Sequence, residues 1–122
     1  MKLYMDDERN HPEGWTRAHN AKEAKEILAK GEVTFASLDH DLFMDRYWSR
    51  DWTQPTENGY DVVRWMVENN IWPEDGLRIH TDYATGRANM VDLVDQHGPY
   101  TVKEQDPTVY YYTEGPAVLY KP

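Results

Sequence analysis

Val33-Thr34-Phe35-Ala36-Ser37-Leu38-Asp39-His40-Asp41 is the stretch on which the fold turns. Val33 to Leu38 is a run with β-branched and aromatic content, so it reads as a strand, and it stops on an acid-histidine-acid triplet. The arrangement recurs on either side. Upstream, Lys2 to Met5 is a short apolar-leaning strand that meets Asp6, Asp7 and Glu8; downstream, Leu77 to Thr81 is a strand whose end carries His80, Thr81 and then Asp82.

Helices fall between these strands. Asn20 is placed to cap a helix over Ala21 to Lys30, with Glu23 at the capping-box position, Gly31 closing it, and Ala21, Ala24, Ile27 and Leu28 on one face. A short strand precedes it at Trp15 to His19, after a turn at Asn10 to Gly14. Gly59 to Asn70 carries Val62, Val63, Met66 and Val67 at the spacing of a buried helical stripe. Thr85 reads as the cap of a helix through Gln96, with Met90, Val91 and Val94 inward and Gly98-Pro99 ending it. Phe43 to Asn58 has no sustained period and reads as a long loop.

Strands alternating with helices predict βαβ units in a mostly parallel sheet with right-handed crossovers. The three polar sets then meet at the carboxyl edge of that sheet, where open α/β folds bind ligands. One such triplet reads equally well as a helix cap. Three at equivalent strand ends point to a site. Past Pro99 the pattern changes: Val- and Tyr-rich runs between turn signals at Asp106-Pro107 and Gly115-Pro116 predict two or three antiparallel strands. The organisation expected is an α/β core over residues 1–98 and a β-hairpin-like extension of the same domain over 99–122.

Composition narrows the function classes. The 122 residues carry 13 Lys plus Arg against 22 Asp plus Glu, a formal net charge of −9, which opposes non-specific binding to duplex DNA and leaves a small anion in a local pocket as a possible ligand. The mean hydropathy is −0.90, and no apolar run approaches the roughly 18 residues of a membrane span. Met1 to Glu8 has no apolar core and turns acidic at Asp6, so a secretory signal is not expected and the cytoplasm is the expected compartment. Without cysteine, any metal must be held by oxygen and nitrogen.

Asp6, Asp7, Asp39 and Asp41 offer the hard oxygen donors that Mg²⁺ or Mn²⁺ prefers. His40 and His80 stand beside that edge as candidate general acid and base. Thr81 and Arg87 can bind phosphate oxygens, Arg87 through a forked donor at a helix start. Trp48 and Trp52, in the aromatic loop, can stack a base. His11, His19 and His97 read as solvated, and Trp65 and Met66 as core.

Four segments together carry a resemblance: Leu3-Tyr4-Met5-Asp6-Asp7-Glu8-Arg9, Ser37-Leu38-Asp39-His40-Asp41-Leu42, Gly59-Tyr60-Asp61-Val62, and Ile79-His80-Thr81 followed by Gly86-Arg87-Ala88-Asn89-Met90. They resemble the cyclic-phosphate-processing receiver-like family, related in fold to the receiver domains of response regulators. The resemblance covers about residues 1–98. It implies a receiver-like (flavodoxin-like) three-layer sandwich with a mostly parallel sheet. It also implies a phosphoesterase acting on a cyclic phosphate of a nucleotide or RNA end, in the host cytoplasm if the chain is phage-encoded. Asp39, His40 and His80 would be its catalytic residues, and Arg9 would join Thr81, Arg87, Trp48 and Trp52 in binding substrate. Where the family usually reads His-Ser-Ala-Asn-Pro, this chain has His80-Thr81-Asp82-Tyr83-Ala84, which keeps a small hydroxyl and replaces the amide by Tyr83.

A second reading is a non-catalytic module, either a phosphorylatable receiver or a nucleotide-binding sponge. A receiver needs a phospho-acceptor, here Asp39, and a lysine after its fifth strand, which Lys121-Pro122 echoes. His40, Asp41 and His80 have no part in phosphotransfer to Asp39, which favours the phosphoesterase.

Overall fold

The computed structural model describes residues 1–6, 11–40, 57–81, 83–106 and 117–122. Its elements are β1 (Lys2–Met5), β2 (Thr16–Ala18), α1 (Ala21–Ala29), β3 (Phe35–Leu38), α2 (Gly59–Asn69), β4 (Gly76–Ile79), α3 (Ala84–His97), β5 (Val102–Gln105) and β6 (Val118–Lys121). The six strands form one mixed sheet in the order β2-β1-β3-β4-β6-β5. β2, β1, β3 and β4 are parallel neighbours, with Met5 opposite Leu38 and Leu38 opposite Ile79. β6 then pairs antiparallel with β4, and β5 antiparallel with β6. The chain steps from β1 outward to β2 and returns over β1 to β3, so the topological switch lies between β1 and β3.

Strand alternation sorts the side chains onto two faces. Leu3, Met5, Ala36, Leu38, Leu77 and Ile79 are all fully buried on one face. There they pack in a single core with Ala24 and Leu28 of α1, Val62 and Met66 of α2, and Met90 and Val94 of α3. Each large side chain so buried is worth about 1.5–3 kcal/mol in transfer from water. The opposite face carries Lys2, Tyr4, Phe35, Ser37, Arg78 and Leu119, with Trp15 edge-on to Tyr4 and to Phe35 at 6.0 and 5.6 Å between ring centres. Among the described residues, all three helices contribute to the core on the first face. The arrangement, a six-stranded mixed sheet with three helices among the described residues, is α/β and consistent with the receiver-like expectation.

Local chemistry sets the helix ends. The Asn20 side chain accepts from the Glu23 N–H at 2.8 Å, and the Glu23 carboxylate reaches back to the His19 N–H, also at 2.8 Å. α2 has a complete capping box between Asn58 and Asp61. α3 departs from the reading: its N-cap is Tyr83, which makes no side-chain cap, and Thr85 lies inside the first turn. The hydroxyl that serves this end belongs to Thr81, which accepts from the Tyr83 N–H at 3.2 Å. β6 is tied to α3 by Tyr120, whose hydroxyl donates to Asp95 at 2.8 Å; burial first, and then that bond, raise its phenol pKa. No helix among the described residues is long and apolar enough to cross a membrane.

Glu23 gives a pH prediction. The His19 backbone N–H is the largest influence lowering its carboxyl below the usual 4.5. A depressed carboxyl stabilises the fold above its unfolded pKa, and the contribution fades as pH falls through the folded value. The gap in Tm between wild type and Glu23→Ala should be open at about pH 7 and narrow at about pH 3. A gap that widens in acid would refute the cap.

Candidate active site

Parallel register carries Asp6, Asp39 and His80 one step past β1, β3 and β4, onto the face that Tyr4, Ser37 and Arg78 share. Asp6 is fully buried, Asp39 is 4% exposed and His80 1%. One oxygen from each carboxylate and one nitrogen of His80 lie within 4.8 Å of one another. Two carboxylate charges at such a distance repel by about 3.5 kcal/mol at an effective dielectric near 20, so the arrangement favours bound cations and N–H donors. His80 supplies one: its Nε2 faces Asp6 Oδ2 at 3.1 Å, while its Nδ1 faces Ser37 Oγ at 2.6 Å. Tyr4 stacks on the imidazole with ring centres 4.6 Å apart and planes 8° from parallel, which holds the ring in its plane.

His40 faces the other way. Its backbone N–H donates to Asp39 Oδ1 at 2.8 Å, and its ring lies 5.1 Å from that of Tyr83 at the start of α3. A Cβ on Gly86 would come within 2.4 Å of that ring, so glycine is what lets His40 and α3 meet. Thr81 is buried, and its carbonyl accepts from the Arg87 guanidinium at 2.7 Å, so Arg87 braces the end of β4 against α3. Asp7, Arg9, Asp41, Trp48 and Trp52 lie outside the described residues, as does most of the stretch read as a loop.

Three further residues shape the site that pattern reading passed over: Tyr4, Ser37 and Arg78. Arg78 is 2% exposed, pairs with Asp106 at 2.5 Å and donates to Ser37 Oγ at 3.4 Å. The signal was present, since an Arg inside Gly76-Leu77-Arg78-Ile79 and a Ser inside Phe35-Ala36-Ser37-Leu38 break apolar strands at register-matched positions. Arg78 and Asp106 also line a cavity of about 620 Å³ with Lys2, Trp15, Phe35 and Leu119. That cavity extends toward the amino ends of β1 and β3, away from the carboxylates.

A family model described as Cyclic-phosphate processing Receiver domain matches residues 1–96. The chain belongs to this family. No curated protein and no solved structure matches it. The buried carboxylate and histidine set lies at the carboxyl edge of the parallel strands, beside the switch between β1 and β3, where open α/β sheets in general bind ligands. The family thereby ties the chain to cyclic-phosphate processing.

Proposed function

We propose that the chain is a phosphoesterase that opens a cyclic phosphate of a nucleotide or an RNA end. The observation that carries this reading is the convergence of Asp6, Asp39 and His80 within 4.8 Å at the carboxyl edge. Water attacks phosphorus, a ring P–O bond breaks, and a phosphomonoester results. In this reading Asp39 accepts the proton lost by the water, and His80, once it carries a proton on both ring nitrogens during turnover, gives one to the leaving oxygen. Asp6 and Asp39 would hold Mg²⁺ or Mn²⁺, whose donor preference their oxygens fit. Such an ion, when bound, polarises a phosphoryl oxygen and makes water a better nucleophile.

An assay panel tests the proposal: cyclic mononucleotides, cyclic oligonucleotides, RNA with a 2′,3′-cyclic end and ADP-ribose cyclic phosphate, each with and without Mg²⁺ or Mn²⁺. Turnover of at least one is expected. Binding of one without turnover would favour the sponge. If the carboxylates hold a divalent ion, saturating Mg²⁺ or Mn²⁺ should raise Tm, by the equivalent of about 2.7 kcal/mol at 100 times Kd. Asp39→Asn should remove that rise. An unchanged Tm in the wild type would refute the metal.

The receiver alternative loses a support. β6 runs antiparallel to β4, so Lys121 lies near the Gly76 end, at the edge opposite Asp39, and pairs with Glu104 at 2.7 Å. The lysine that echoed a receiver is not beside the would-be phospho-acceptor.

A further inference from the structure

We propose that Ser37, held by Arg78, is a positioning residue that selects the His80 tautomer with its proton on Nε2 and aims that proton at the carboxylate edge. A guanidinium only donates, so the 3.4 Å contact from Arg78 takes a lone pair of Ser37 Oγ. Ser37 is fully buried, and its other partner is His80 Nδ1 at 2.6 Å. The Ser37 proton therefore goes to Nδ1, and a neutral imidazole must then carry its own proton on Nε2, opposite Asp6 Oδ2 at 3.1 Å. Were Nδ1 protonated, the Ser37 O–H would be buried without an acceptor, a cost large enough to hold the tautomer ratio at about 10:1 or beyond. The Arg78 charge beside Ser37 acts in the same direction, because it disfavours a second donor pointed at that oxygen.

The chain Asp106–Arg78–Ser37–His80–Asp6 thus runs along the Tyr4–Ser37–Arg78 face of the sheet and ends at the site. It has a consequence for chemistry. In the resting site an imidazole with Nε2–H gives a hydrogen bond at that edge and does not ligate a cation through that atom; to pass that proton to a leaving oxygen during turnover it first takes a second proton on Nδ1, and the resting tautomer sets Nε2 as the donating atom. His80 is then set as donor, and the carboxylates are left as the metal-binding part. The consequence for turnover rests on the phosphoesterase reading; the tautomer does not.

The test is ¹⁵N NMR of the histidine rings in the full chain without divalent ions, with His80→Gln used to assign the His80 signals. Expected in the wild type are a pyrrole-type Nε2 and a pyridine-type Nδ1. A proton on Nδ1, in either the other neutral tautomer or the imidazolium, overturns the proposal without any variant. Ser37→Ala should lose the single tautomer and Ser37→Thr should restore it; an unchanged spectrum in Ser37→Ala overturns the role of Ser37. On any cyclic phosphate the wild type turns over, Ser37→Ala should lower kcat about 10- to 100-fold with KM little changed, the size usual for a partner that orients an imidazole. If the wild type turns over nothing, the phosphoesterase reading fails and the tautomer result still stands.

Discussion

Replacing His80 by Gln should lower turnover of a cyclic phosphate by about 10²- to 10⁴-fold while the chain remains folded. The structure dictates the choice of variant. His80 is 1% exposed, stacked on Tyr4 and bonded to Ser37 and Asp6. Alanine would leave Ser37 and a buried carboxylate without that partner, and breaking a buried pair in this way costs about 3–5 kcal/mol, so lost activity would be confounded with lost fold. Glutamine keeps an N–H near the Nε2 position, can still bond Asp6, and cannot transfer a proton at neutral pH. Circular dichroism and Tm report the fold, and kcat reports the chemistry. A receiver behaves in the opposite way: His80→Gln would leave beryllofluoride labelling intact, whereas Asp39→Asn would abolish it, because the acyl phosphate needs a carboxylate. Full turnover in His80→Gln would remove His80 from the mechanism and make His40, braced against Gly86, the next candidate.

The legible parts of this fold are those whose signal is local. The apolar runs ending in Asp6, Asp39 and His80 appear as β1, β3 and β4, and the Val62–Met66 stripe appears as the buried side of α2. Parallel pairing then brought those strand ends together without further information, because register is all that is needed to align them. What escaped depends on contacts between distant positions. Nothing near Val118 says that it pairs antiparallel with Ile79, and that pairing sends Lys121 to the far edge. Tyr4, Ser37 and Arg78 looked like ordinary strand residues, since their shared face emerges only once the strands are side by side. Thr85 has the right chemistry for a cap and lies two residues too late, because the turn after β4 is closed by Thr81 instead.

The motif Asn58-Gly59-Tyr60-Asp61 yields the largest stability prediction. A Cβ on Gly59 would stand 1.9 Å from the Asp39 carbonyl oxygen and 2.9 Å from His40 Cα, and the Gly59 N–H already donates to the His40 carbonyl at 2.8 Å. The start of α2 is therefore packed backbone on backbone against the end of β3, with no side chain in between that can swing aside. Gly59→Ala must separate the two, at a cost at or above the upper end of ordinary overpacking, about 3 kcal/mol. For a domain of this size that should lower Tm by about 10 °C, or prevent folding outright. Gly31→Ala is the control, since its φ of +75° strains an alanine but nothing lies within 4 Å of the added methyl; its loss should be nearer 1 kcal/mol. Gly86→Ala falls between, because its Cβ would meet the His40 and Tyr83 rings, which are side chains and can yield. Thermal melts should rank the losses Gly59→Ala, then Gly86→Ala, then Gly31→Ala. A Gly59→Ala chain as stable as Gly31→Ala would mean that the β3 to α2 junction can open. In that case Asp39, whose carbonyl forms that junction, would not be held rigidly enough to keep its carboxylate beside Asp6 and His80.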